Sequence, residues 1–234
     1  MIFGKNAKKK NSSIESIVNK GLMEATKPIF ENIKKLMAYY RCAIMEVETK
    51  LNVLNEQFSL QYDRNPINSI KSRLKSIESI SKKLDKDGLP VTLESMEENL
   101  SDIAGVRVIC SFPEDVYMIA DALLSQDDIT LISKKDYISE PKPNGYRSLH
   151  LIVTVPIFLA DQKRLMKVEI QLRTIAMDSW ASLEHQLRYK KDCEFTEEMA
   201  GELYRCAQIS AELDSRMDKL RSICLLYTSD AADD

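Results

Sequence analysis

Glu169 stands in the run Val168-Glu169-Ile170-Gln171-Leu172-Arg173-Thr174. Strand alternation puts Val168, Ile170 and Leu172 on one face and Glu169, Gln171 and Arg173 on the other. A carboxylate on such a rigid element can take a proton from a hydroxyl if a metal and substrate-holding groups lie close by. The same alternation also describes the ordinary solvent face of an antiparallel sheet. A second carboxylate, Asp102, opens the apolar run Ile103-Ala104-Gly105-Val106-Arg107-Val108-Ile109-Cys110. It can take a divalent ion that bridges phosphates, or simply cap a turn. Arg107 lies inside that run, where a buried guanidinium needs partners; a structural ion pair would satisfy it as well.

Phosphates would have to be held by side chains. The chain has six Gly and neither G-x-x-x-x-G-K-[ST] nor G-x-G-x-x-G, so no backbone cradle is encoded. Two segments offer the side chains. In Arg73–Leu84, a helical wheel puts Ile77, Ile80 and Leu84 on one face and Lys75, Ser79 and Lys83 on another, with Arg73 at the helix mouth. That array can grip a triphosphate with point charges and one guanidinium fork. It is also the pattern of a solvated basic face. In Lys134–His150, Pro141, Pro143 and Asn144-Gly145 make a structured loop dense in Lys, Arg, Tyr and His. Tyr146 offers a stacking surface for a purine; Lys135, Lys142 and Arg147 can hold phosphates, and His150 can meet one from the next strand. A packing aromatic and a satisfied core histidine are the plainer alternatives. Glu184 and His185 are adjacent, so they diverge on a helix and form no H-E-x-x-H site.

The elements that must position these residues follow from periodicity. Ile29, Ile33, Leu36, Met37, Tyr40, Ile44, Val47, Leu51 and Leu54 form one stripe of a helix expected over Lys27–Tyr62, with Pro28 in its first turn. Further helices are expected over 72–84, 93–100, 114–124, 176–191 and 196–223. Strand-like, β-branched runs cover 104–112, 129–133, 149–155 and 165–172. The class is therefore α+β, a mixed β-sheet of about five strands flanked by helices, with long N- and C-terminal helices. The expected organisation is an N-terminal helical extension (1–64), a catalytic domain (65–191), a C-terminal helix (192–223) and a tail (224–234).

Composition narrows the setting. Of 234 residues, 44% are hydrophobic and 29% charged, enough for a core and ordinary for a soluble domain. With 33 Lys+Arg against 36 Asp+Glu, the net charge of −3 advertises no nucleic-acid field. Five Cys without a C-x-x-C pair read as reduced thiols. The start shows no signal-peptide h-region, and the longest apolar stretch, Leu149–Ala160, is too short to span a bilayer. No membrane and a cytoplasmic location are expected. The tail Cys224–Asp234 breaks the preceding pattern and resembles translated sequencing-adapter read-through; a genuine acidic tail is the alternative. Without its three Asp the charge becomes −3 + 3 = 0.

Taken in order, D-I-A-G-V-R-V, K-D-Y-I-S-E-P-K-P-N-G-Y-R-S-L-H and V-E-I-Q-L-R-T resemble the RelA/SpoT-type synthetase domain of small alarmone synthetases, over about 65–191. The run I-A-M-D-S-W-A-S-L-E-H is most similar to the RelP-like subclass. The resemblance implies a nucleotidyltransferase-like sheet, Mg2+ as cofactor and a GTP/GDP pyrophosphokinase. Such an enzyme moves pyrophosphate from ATP to the ribose 3′-OH of GTP or GDP in the stringent response. It further implies that Arg73, Lys75, Ser79 and Lys83 bind ATP. Lys135, Lys142, Asn144, Tyr146, His150, Gln171 and Arg173 would bind GTP, with Tyr146 stacking on guanine. Asp102 and Glu169 would hold the metal, and Glu169 would act as the catalytic base.

Two His and no H-D pair suggest synthesis without hydrolysis. A homotetramer is expected from the family. The region of Glu48, Asn52 and Asn55 is not basic, which argues against activation by product. The alternatives are a toxin-like synthetase acting on the tRNA 3′ end or adenine nucleotides, and a silent nucleotide-binding regulator. Charge balance disfavours tRNA, the Asn-Gly-Tyr loop favours guanine, and retention of both carboxylates disfavours silence.

Overall fold

The four β-branched runs and one further segment pair into one five-stranded sheet. In the computed structural model, which describes residues 5–62, 64–188 and 195–230, the elements begin with α1 (Lys5–Tyr62), β1 (Ile67–Leu74), α2 (Ile77–Lys86) and α3 (Leu93–Asn99). They continue with β2 (Ala104–Cys110), α4 (Pro113–Leu124), β3 (Thr130–Asp136), β4 (Leu149–Phe158), β5 (Lys163–Thr174), α5 (Ile175–Arg188) and α6 (Glu197–Asp230). The strand order is β1-β2-β5-β4-β3. β2 and β5 run parallel and the other neighbours antiparallel, so the sheet is mixed and the class is α+β, as expected.

Alternation assigns the two faces. Val106 and Val108, Leu149, Leu151 and Val153, and Val168, Ile170 and Leu172 are buried in one core with residues of α1 and α4. From α1 come Leu36, Tyr40, Ala43, Val47, Leu51, Leu54 and Phe58, spaced three and four apart. A fully buried aliphatic side chain contributes roughly 1.5–3 kcal/mol. The second half of α1 is thus part of the core rather than an appendage, whereas Ile29 at the head of the expected stripe is exposed.

The other face is polar. Directly paired residues point the same way, and the register aligns Lys71, Arg107, Gln171, His150 and Lys135 in one row across all five strands. A second row, two residues along, holds Arg73, Gly105, Glu169, Ile152 and Ser133.

Three local expectations change. Arg73 lies in the edge strand β1, not at a helix mouth, and α2 starts only at Ile77 after its N-cap Ser76. Ile67, Ile70, Leu74 and Ile77 are three and four apart, which is helical spacing, and a largely exposed edge strand with a bulge between Ile67 and Ser69 shows no period-two burial to contradict it. Helix α1 starts at Lys5, with Pro28 inside it at the cost of one backbone bond. The backbone of α6 stays helical to Asp230, past the expected end at 223. Residues 231–234 of the tail and 189–191 at the expected end of the preceding helix lie outside the described residues.

Helices α5 and α6 pack together and close one end of the sheet. Trp180, Ala181 and Ala207 form a small second core against which Tyr146 packs, and Trp180 Nε1 donates to the Leu203 carbonyl at 2.8 Å. Among the described residues, no helix is long and apolar enough to cross a membrane.

Candidate active site

Two polar clefts open on the polar face of the sheet. One, of about 380 Å3, is lined by Lys71, Arg73, Lys75, Arg107 and Gln171 together with Asp102 and Glu169. The other, of about 510 Å3, is lined by Lys83, Lys135, Tyr137, Lys142, His150 and Lys167, again with Asp102 and Glu169. The two carboxylates are the residues common to both linings. Asp102 arrives from the turn before β2, and Glu169 from the middle of β5, opposite Gly105.

Lysines clamp Asp102. Its Oδ2 lies 2.5 Å from Lys75 Nζ and 2.9 Å from Lys83 Nζ. Burial pushes this carboxyl up, but the two lysines outweigh it and hold it below the ordinary carboxylate range. Glu169 is governed in the same way: burial raises it, while His150 and Gln171 lower it further than burial and the Asp102 charge raise it. His150 Nδ1 stands 3.4 Å from Glu169 Oε1.

The donor set suits magnesium. Asp102 Oδ1 is buried and has no hydrogen-bond partner among the described residues, and the two carboxylates are close enough for one charge to raise the other. Among the described residues no three His, Cys, Asp or Glu converge. Magnesium needs no such cage, because it takes one or two carboxylates plus substrate phosphates and water.

The loop between β3 and β4 is built to hold its shape. The Asp136 carboxylate accepts from the Ile138 and Ser139 amides at 2.9 and 3.1 Å, and Asn144 Oδ1 accepts from the Tyr146 amide at 3.2 Å. The Lys142 ammonium covers the Tyr137 and Tyr146 rings at 4.5 and 4.8 Å. Tyr146 Oη lies 2.8 Å from His150 Nε2 and accepts from Arg173 Nη2 at 2.7 Å. If the tyrosine donates to Nε2, the histidine carries its proton on Nδ1, facing Glu169.

The residues singled out from sequence fall into distinct places. Arg73 and Lys75 reach the first cleft; Lys83, Lys135, Lys142 and His150 reach the second. Ser79 lies at the start of α2, 3.0 Å from Ser76 Oγ. Asn144 points its amide at Glu184, and Arg147 donates to the Ile138 carbonyl at 3.0 Å instead of facing either cleft. Arg173 is buried behind Tyr146 and Gln171, to which it donates at 3.0 Å.

Several residues at the site escaped sequence reading, among them Tyr137 and Lys167 of the second cleft and two more. Lys71 lies on the unrecognised strand β1. Asp178, in the first turn of α5, accepts from Arg107 and Arg173 and pairs with Lys71. Asp178 does stand in the run I-A-M-D-S-W-A-S-L-E-H, whose resemblance marked the segment without giving this residue a role.

Comparison with known proteins fits this site. Residues 72–194, more than half of the chain, match the protein-family model described as a region found in RelA/SpoT proteins. The protein named GTP pyrophosphokinase YwaC from Bacillus subtilis is 43% identical over 195 residues, covering 83% of this chain and 93% of the relative. The crystal structure of small alarmone synthetase 2 from Bacillus subtilis superposes with a TM-score of 0.74 at 40% identity, over 82% of this chain and 98% of that one. Small alarmone synthetase 1 from the same organism, crystallised with its product pppGpp, gives 0.74 at 33% identity over 82% and 97%. With a family model spanning most of the sheet and a relative this similar along nearly its whole length, the chain belongs to the RelA/SpoT family.

Proposed function

We propose that this chain transfers pyrophosphate from ATP to the ribose 3′-hydroxyl of GTP or GDP, yielding AMP and (p)ppGpp. The observation that carries the reading is the shared wall: two cation-lined clefts meet at Asp102 and Glu169. A transfer between two nucleotides needs donor phosphates and an acceptor hydroxyl delivered to one point. The relatives named for this activity, and the one crystallised with pppGpp, support the identity of the substrates.

In this reading Arg73, Lys75, Ser79 and Lys83 hold ATP. Lys135, Lys142, Asn144, Tyr146, His150, Gln171 and Arg173 bind or brace the acceptor nucleotide, with guanine stacked on Tyr146. Stacking requires the Lys142 ammonium to leave that ring and turn to the phosphates. Asp102 and Glu169 would hold magnesium, which when bound neutralises phosphate charge and makes the β-phosphorus more electrophilic. Glu169 takes the 3′-hydroxyl proton while the hydroxyl oxygen bonds to the β-phosphorus. The bond from that phosphorus to the α,β-bridging oxygen breaks, and AMP departs with the electron pair. Lysines 75 and 83 are already placed beside Asp102, where phosphate charge would gather.

The same reading takes the protein to be a cytoplasmic homotetramer that serves the stringent response by synthesis rather than hydrolysis. Incubation with γ-labelled ATP, magnesium and GTP, GDP, ATP or tRNA tests it. Label is expected on the guanine nucleotides. Label on tRNA or adenine nucleotides replaces the acceptor, and no transfer to any of them removes the enzymatic reading.

A further inference from the structure

We propose that Asp178 is a positioning residue that sets the geometry of both clefts at once, an inference that rests on the two-substrate reading above. Its side chain is 11% exposed in the first turn of α5. Oδ1 accepts from two guanidinium groups, Arg107 Nη1 at 3.2 Å and Arg173 Nη1 at 3.1 Å, while Oδ2 meets Lys71 Nζ at 3.3 Å. Lys71 and Arg107 line the cleft that also holds Arg73 and Lys75, two of the residues assigned to ATP. Arg173 reaches both sides: it donates to Gln171, which lines this cleft, and to Tyr146 of the β3–β4 loop. Its Nη2 holds Tyr146 Oη at 2.7 Å, Tyr146 Oη lies 2.8 Å from His150 Nε2, and His150 Nδ1 lies 3.4 Å from Glu169. One carboxylate therefore anchors two cations of that cleft, Lys71 and Arg107, and the start of the chain that leads to the acceptor loop and the base.

The charge is what makes this possible. Arg107 and Arg173 repel each other, and burial together with that repulsion lowers the Arg107 guanidinium below its ordinary range, with Asp178 opposing the shift. Arg173, at 5% side-chain exposure, pairs with no acidic residue but Asp178 among the described ion pairs. A neutral amide oxygen can still accept both guanidinium bonds, but the amide cannot balance three cations, and its NH2 in place of Oδ2 offers nothing to the Lys71 ammonium. A purely structural anchor for α5 would lower thermal stability without a matched effect on two ligands.

Binding separates these roles without requiring turnover. Titrate wild type, Asp178→Asn and Asp178→Glu with the non-hydrolysable α,β-methylene analogue of ATP and, separately, with GDP, and record a thermal melt of each. Asp178→Asn is expected to weaken both ligands by about tenfold, the size of a lost charge-assisted hydrogen bond. Asp178→Glu, which keeps the charge one methylene further out, is expected to weaken both by less. A folded Asp178→Asn with both affinities unchanged, or with one alone affected, overturns the proposal. Should that variant not fold, Asp178→Glu decides by the same criterion. Wild type that binds neither nucleotide overturns the two-substrate reading and this inference together; normal wild-type binding with unshifted variants overturns the role of Asp178 alone.

Discussion

A carboxylate can accept a proton only while it is ionised, and the neighbours of Glu169 keep it so against the cost of burial. Because its folded pKa is lowered, the group adds stability above its unfolded value and loses it as pH falls through the folded value. The acid limb of kcat/KM should accordingly lie below the ordinary carboxylate range. In His150→Gln the stronger of the two lowering partners is gone, burial and the Asp102 charge weigh more, and the limb should move to higher pH; a profile unmoved on the acid side would show that His150 does not tune the base. Glu169→Gln should abolish label transfer and leave nucleotide affinity largely intact, and turnover resembling wild type would end the assignment of Glu169 as base. Each of these residues has an ordinary local reading, and they became legible only through their order along the chain, which resembles the RelA/SpoT-type synthetase domain. Asp178 was not legible, since its partners Lys71 and Arg107 lie 107 and 71 residues away and only the β1–β2 and β2–β5 registers together bring them near it.

At the level of elements, the β3–β4 loop depends on a helix far along the chain. Gly145 has φ +88°, and a Cβ there would stand 2.5 Å from the Ala207 Cβ of α6. Gly88 has φ +68° with open space around it, so it isolates the backbone contribution. Gly88→Ala should cost about 1–2 kcal/mol, the penalty of a left-handed residue with a Cβ. Gly145→Ala should cost more by urea denaturation and raise KM for the guanine nucleotide, because the loop must lift from α6. Ala207→Gly should recover part of the added loss, and equal costs at the two glycines would show that loop and helix are not in tight contact. The Asn-Gly turn could be read from sequence, but its docking on α6 could not, as Ala207 is an ordinary helical alanine by every local measure. Strand β1 was hidden for a related reason. An exposed edge strand need not alternate, and here its apolar residues happen to fall at helical intervals.

Across the whole molecule, α6 acts as a strap. Arg221 pairs with Glu114 and, at 3.8 Å, with Asp115 of α4, whose carboxylate also receives Arg64 at 2.6 Å. Asp214 accepts from Thr174 Oγ1 at 2.8 Å where β5 turns into α5. Sequence periodicity identified α6 as a helix but not what it covers, because which surfaces meet is decided by the packing of elements distant in sequence. The Asp214 contact gives the strap a pH dependence. Burial raises its carboxyl above the ordinary range and outweighs the Thr174 bond and the Arg147 charge, which lower it; the Asp218 charge raises it further. The folded chain therefore favours the neutral acid. Its contribution is full below the unfolded pKa and is lost as pH rises through the folded value. An asparagine at 214 presents an oxygen to the threonine hydroxyl without carrying the charge. Asp214→Asn should thus melt higher than wild type near pH 7, with the difference shrinking at a second, acidic pH as the wild-type carboxyl itself becomes neutral. Calorimetry at both pH values measures the effect. A variant less stable than wild type near neutrality would mean that attraction to Arg147, not burial, governs Asp214, and that α6 is held to the sheet by charge.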